Sequence, residues 1–266
     1  MLRKPAVAGQ FYPGNPAKLK EMIAKMVNME IEKKKAFGIV SPHAGFIYSG
    51  TVAAEVFSSV LLPEKYIIIG PNHRGSGPLF SLYDEGAWET PLGKVPIDLD
   101  LARSLKKNSD LLDSDTVSHI YEHSLEVQIP FIQYFKPDFS IVPITISPYA
   151  SLDQLKDLGE TIAEETKNKD ILVVTSTDMS HYISQEEARE KDYSAIDKIL
   201  NLDPEGLYKV VKQNNISMCG FQPTVVMLTA VKLLGASKGE LIKYQTSGDV
   251  SGDYQEVVGY AGIRII

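Results

Sequence analysis

The sequence predicts an α/β protein, a central mostly parallel or mixed sheet flanked by helices. Two observations carry that prediction. Strand-like and helical runs alternate along most of the chain, the pattern of a layered sheet with crossover helices. In addition, two oily runs stop abruptly at a histidine. "FGIVSPHAG" ends its apolar stretch at His43, and "IIIGPNHRG" ends its own at His73. The segment between reads as one strand, helix, strand unit with a right-handed crossover. Its two strands point the same way, so both histidines emerge on one edge of the sheet. That edge, beyond the carboxyl ends of the strands, is where open α/β sheets bind ligands.

In chain order, the apolar periodicity predicts a helix over 16–29, a strand over 37–40, a helix over 49–60 and a strand over 66–69. Helical patterns follow at 99–106 and 124–135. In the second, Leu125, Ile129, Ile132 and Phe135 form a core-facing stripe, and Pro130 should bend or interrupt it. A strand over 139–146, a helix over 152–165 and a strand over 171–175 come next. Helices over 185–200, 204–212 and 223–234 then precede closing strands over 240–245 and 257–265. No long linker, low-complexity tract or internal repeat breaks this series, so residues 1–266 are expected to form one domain.

With 266 residues, 44% of them hydrophobic and 23% charged, the chain can bury a large core. A net charge of -7 offers no footprint for nucleic acid or anionic lipid, and Lys33–Lys35 and Lys106–Lys107 read as solvated surface. One cysteine cannot make an internal disulfide. The N-terminus has a basic start, but Gly9, Gln10 and Pro13 interrupt any signal-like apolar core. The best membrane candidate, 225–234, is short and contains Lys232. We therefore expect a cytoplasmic protein without membrane or nucleic-acid partners.

A third run, "ILVVTSTDMSHY", carries its strand into Asp178 and His181. If parallel to the first two, it adds a carboxylate and an imidazole to the same edge. In "SMCGFQPTVVML" the single cysteine, Cys219, precedes a helix expected to start near Pro223, a placement that stabilises a thiolate. His119 and His123, in "SHIYEHSLEVQIP", match the H-x-x-E-H pattern of inverted zinc proteases. A protease built on that pair leaves His43, His73, His181 and Cys219 without work.

Each residue also has a plainer reading. A lone histidine after a strand is usually a turn residue; two at matched topological positions favour a site. Asp178 could cap a following helix, Cys219 could be a small buried hydrophobe, and His119 is best read as part of a solvated helix start. Other motifs fail. "RGSGPLF" lacks the third glycine of a dinucleotide fingerprint, no G-x-S-x-G elbow exists, and "SGDVSGD" lacks calcium-loop spacing.

The motifs "AGQFYP", "PHAGFIYSG", "GPNH", "EHSLEVQIPF", "TDMSHY" and "MCGFQP", in this order across nearly the whole chain, resemble the Memo family. The resemblance implies a single-domain fold similar to the catalytic subunits of class III extradiol dioxygenases, which are non-haem iron enzymes. It also implies one iron or copper ion held by His43, His73 and Cys219, zinc being a substitute, with His123, Asp178 and His181 lining the pocket as candidate catalytic groups. Those dioxygenases use two histidines and a carboxylate, whereas here Cys219 stands in the carboxylate's place, which argues against ring cleavage. Relatives in animals are described as signalling proteins, and bacterial and archaeal ones are associated with radical-SAM partners. The leading expectation is a metal-dependent redox protein acting on a small molecule in the pocket. The alternatives are a peptide- or partner-binding module whose pocket Phe11, Tyr12 and Tyr48 would line, and a zinc hydrolase built on His119 and His123.

Overall fold

The computed structural model describes all 266 residues. Strand β1 is Leu2–Arg3 and helix α1 is Pro16–Met26, capped by the Asn15 side chain and opened by Pro16 in its first turn. Then come β2 (Gly38–Ser41), α2 (Phe46–Ser58) and β3 (Lys65–Pro71). Four short strands follow: β4 (Phe80–Leu82), β5 (Ala87–Thr90), β6 (Gly93–Pro96) and, after α3 (Leu99–Lys107), β7 (Asp113–Ser114). One turn of helix, α4 (Val117–Ile120), leads through a 3-10 turn at Glu126–Gln128 into α5 (Ile129–Phe135). The predicted helix 124–135 is thus broken where Pro130 demands it, because a proline cannot donate to the preceding turn. The second half runs β8 (Ser140–Ile146), α6 (Leu152–Thr166), β9 (Ile171–Ser176), β10 (His181–Ile183), α7 (Gln185–Leu200), α8 (Pro204–Gln213), α9 (Phe221–Leu233), β11 (Gly239–Thr246), α10 (Gly248–Ser251) and β12 (Val257–Ile265).

Nine strands make one mixed sheet in the order β10-β12-β2-β9-β3-β8-β4-β7, with β11 on the outer side of β12. Its centre, β2-β9-β3-β8, is parallel, and both flanks are antiparallel. These four strands read as near-continuous apolar runs because helices cover both faces. Helices α1, α2 and α5 pack together on one side, while α6 and α9 pack on the other. The sequence's best membrane candidate falls in helix α9, whose residues Phe221 to Val231 are all buried, and no helix is long and apolar enough to cross a membrane. A single cluster of 63 buried apolar residues joins the layers.

Two features of this topology decide where the site lies. β2 and β3 are not neighbours, since β9 is inserted between them with both partners parallel to it. The carboxyl ends of three adjacent parallel strands therefore deliver His43, then Ser176 and Asp178, then His73 to one place. Beside them a second, three-stranded sheet, β1-β5-β6, carries the N-terminal segment and Arg3 against the 119–126 stretch.

Candidate metal centre

His43, His73 and His123 converge so that one ring nitrogen of each lies within 4.8 Å of the others. Their ring centroids are 5.1 Å (His43 to His73), 5.3 Å (His43 to His123) and 4.7 Å (His73 to His123) apart. His43 is buried, His123 partly so, and His73 is exposed, so the cluster opens to solvent on the His73 side.

The hydrogen bonds fix the tautomers of two of these rings. The Ser176 hydroxyl donates its only proton to the Ser124 carbonyl at 2.6 Å and accepts from Gln128 Nε2 at 2.8 Å. His43 Nδ1, 2.9 Å from the same oxygen, must therefore be the donor, which leaves Nε2 with its lone pair free. That Nε2 faces Cys219 Sγ at 3.2 Å. His73 Nδ1 donates to the Glu122 carboxylate at 2.9 Å, again freeing Nε2. A neutral imidazole whose Nδ1–H is held by an oxygen and whose Nε2 looks into a shared space is what metal ligation requires. The donor set of imidazoles with a thiol alongside fits iron, copper or zinc.

Glu122 organises this arrangement. Its fully buried carboxylate accepts the His73 N–H at 2.8 Å and the N–H groups of His123 and Ser124, both at 2.9 Å, and lies 3.4 Å from His123 Nδ1. Burial alone would raise its pKa, but the hydrogen bond and charge of His73 and its other donors outweigh that and hold it at about 2. Burial, reinforced by the neighbouring imidazoles, keeps His43 well below its ordinary value, and burial brings His123 to about 4. These two rings are neutral at neutral pH.

Cys219 sits two residues before α9, with Gly220 as the cap. Its sulfur accepts the Asp178 N–H at 3.3 Å and lies 3.8 Å from Thr177 Oγ1. The thiolate stabilisation expected from a helix start does not prevail. Burial, and then the charge of Asp178, pushes the thiol well above its ordinary value. In the metal-free protein Cys219 is a thiol whose proton points at His43 Nε2 or the Asp178 carbonyl.

Asp178 does not cap a helix, because β10 follows it. Its carboxylate accepts the His43 main-chain N–H at 2.7 Å, so it holds the backbone of that residue rather than its ring, and burial raises it to about 6. His181 stands outside the three-imidazole cluster. Its Nδ1 donates to the Ser217 carbonyl at 2.9 Å and its N–H to the Ser217 hydroxyl at 2.7 Å. Phe11 packs on His123 with centroids 4.8 Å apart, Tyr12 is buried with its hydroxyl on Glu126, and Tyr48 is exposed.

His119 is not on a solvated helix start. It is fully buried, its ring edge-on to Tyr83 and Trp88, with Nε2 donating to the Ser81 carbonyl at 3.1 Å. α4 ends at Ile120, so His119 and His123 share no helical face and the zinc-protease geometry does not form. Sequence reasoning missed the organising roles of Glu122, Ser176 and Gln128. For Glu122 and Gln128 the available signal was a run of polar residues inside the apolar stripe of "EHSLEVQIP", and Ser176 carried none.

The fold and site together define an α/β protein whose sheet edge gathers three imidazoles able to hold an ion. A family model described as "Memo-like protein" matches residues 3–264, and the chain belongs to the Memo family. A MEMO1 family protein of Methanopyrus kandleri is 42% identical over 279 residues, covering 99% of this chain and 98% of that one. Proteins of the same description from Aquifex aeolicus and Methanosarcina acetivorans are each 44% identical, covering 98% of both chains and 99% of both chains respectively. A solved structure described as an uncharacterized Escherichia coli protein, JW3007, superposes with a TM-score of 0.55 at 12% identity. It covers 84% of this chain and 98% of that one, a likeness of fold.

Proposed function

We propose that the protein is a metal-dependent redox protein whose centre binds one iron or copper ion through His43 Nε2, His73 Nε2 and Cys219 Sγ. His123 adjoins them as an acid-base group or fourth donor, and His181 lies further out as a proton carrier. The observation that carries this reading is the pair of Nδ1–H tautomers fixed by Ser176 and Glu122. They leave two imidazole lone pairs free, and that of His43 lies 3.2 Å from the Cys219 thiol. A bound iron or copper ion would supply one-electron chemistry and a thiolate-softened potential. The chain's own part is to hold the rings, keep His43 and His123 neutral, and leave the His73 side open to a small molecule.

A binding module that uses the same pocket for a peptide remains the second reading, favoured by the exposed aromatics Tyr121 and Tyr182 that adjoin Glu122 and His181 in sequence. X-ray absorption of the iron- or copper-loaded protein separates the ligand sets. A sulfur scatterer at about 2.3 Å, lost in Cys219→Ala, is expected. A shell of nitrogen and oxygen alone, unchanged by that substitution, refutes the sulfur ligand and leaves the three imidazoles as the set.

A further inference from the structure

We propose that Arg3, which touches no imidazole, is a positioning residue for the metal centre and holds His73 and His123 in place from beneath. The Arg3 side chain is 2% exposed and its guanidinium lies 4.0 Å above the Trp88 ring. It donates in three directions: Nε to the His119 carbonyl at 2.7 Å, one terminal nitrogen to the Glu122 carbonyl at 2.6 Å, and the other to Glu126 Oε2 at 2.7 Å. The planar guanidinium spreads fixed donors over three nitrogens to reach these acceptors, whereas the three donors of an ammonium radiate from one nitrogen.

Each acceptor leads to the site. The main chain held at residues 119 and 122 is the stretch whose Glu122 carboxylate fixes the His73 ring and the His123 N–H. The Glu126 carboxylate, neutralised by Arg3, accepts the Ala6 and Val7 N–H groups at 2.7 and 3.1 Å and the Tyr12 hydroxyl at 2.6 Å. Those bonds tie down the N-terminal segment that lays Phe11 against His123, and the Phe11 carbonyl in turn accepts the Phe46 N–H at 2.8 Å. One buried cation thus joins the support of two rings to the wall that covers one of them. His43 is held from β9 by Ser176 and Asp178, with Ser176 also bonded to Ser124 and Gln128 of the same stretch, whereas His181 is held apart by Ser217.

The inference rests on the metal reading above for its consequence, but not for its test. Arg3→Met alone would strand Glu126 as a buried charge and could unfold the chain, so the variant is the full-length double substitution Arg3→Met/Glu126→Gln, which leaves no unpaired charge. In the metal-free protein, imidazole nitrogen resonances are recorded by NMR. The His73 and His123 signals should move most, that of His43 less, and that of His181 should stay. Copper or iron affinity should then fall by about 10- to 100-fold, the usual effect of losing an outer support of a metal ligand. A control variant, Leu207→Ala in α8, lowers stability without approaching the centre and should keep its affinity. Unmoved His73 and His123 signals, uniform movement of all four rings, or an equal loss of affinity in the control would overturn the proposal. If wild-type protein binds neither metal, the metal reading fails, while the NMR arm still decides whether Arg3 positions the rings.

Discussion

Metal binding to this centre should release a proton, and Cys219 should be its source. Without metal, burial and the Asp178 carboxylate keep the thiol protonated at neutral pH. His43 and His123 are already neutral, so they have no proton to give. Ligation as a thiolate must therefore expel the S–H proton. Between about pH 7 and 9, above the range in which Asp178 titrates, affinity should rise about tenfold per pH unit, or roughly 1.4 kcal/mol. The assay is titration calorimetry in two buffers of different ionisation enthalpy, which counts protons directly. Wild type should release about one more proton per ion than Cys219→Ala, whose affinity should hardly vary over this window. Equal proton release from both proteins would refute the argument, because the sulfur would then not enter the coordination sphere as thiolate.

His119 should make the metal-free protein acid-sensitive. Burial lowers its pKa from 6.5 to about 4, so the unfolded chain takes up the proton first and stability falls as pH drops through that interval. From pH 7 to 5 its share is about 2 kcal/mol, and urea unfolding of His119→Gln should show a pH profile flatter by about that amount, whereas parallel profiles would contradict the burial argument. Glu122→Gln keeps the shape but removes the charge that accepts four N–H groups. Equilibrium dialysis should find metal affinity weakened by about 10- to 100-fold, and wild-type affinity would demote Glu122 to packing. In Gly220→Ala the new methyl carbon would lie 2.4 Å from the Ser176 carbonyl oxygen and 2.6 Å from Thr177 Cβ. Thermal unfolding should report a loss of about 1–3 kcal/mol, and an unchanged midpoint would mean that the Cys219 turn yields freely.

The strands that form the sheet's centre were readable because helices cover both faces, so β3 and β8 are oily along nearly their whole length. The histidines at the ends of β2 and β3 were readable for the same reason, as polar groups that no buried strand explains. The short strands β4 to β7 escaped notice because two to four residues such as "FSL" or "GKVP" carry no periodicity of their own. β10 contains Tyr182 with a left-handed backbone, φ 58°, which strand propensity does not foresee. The supports of the centre were hidden for another reason. Arg3 meets Glu126 across 123 residues and Glu122 meets His73 across 49, and local pattern does not encode such pairings. The Cys219 thiol shows a general rule losing to a local one: the favourable field of a helix start is weaker here than desolvation plus a neighbouring carboxylate.

The most direct test of the central claim is the metal content of protein purified without oxygen and without a metal-affinity tag, measured for wild type, His43→Ala, His73→Ala and His119→Gln. The account predicts about one iron or copper ion per chain in wild type and in His119→Gln, and almost none in the other two. Equal metal content in all four proteins, or loss confined to His119→Gln, would contradict it.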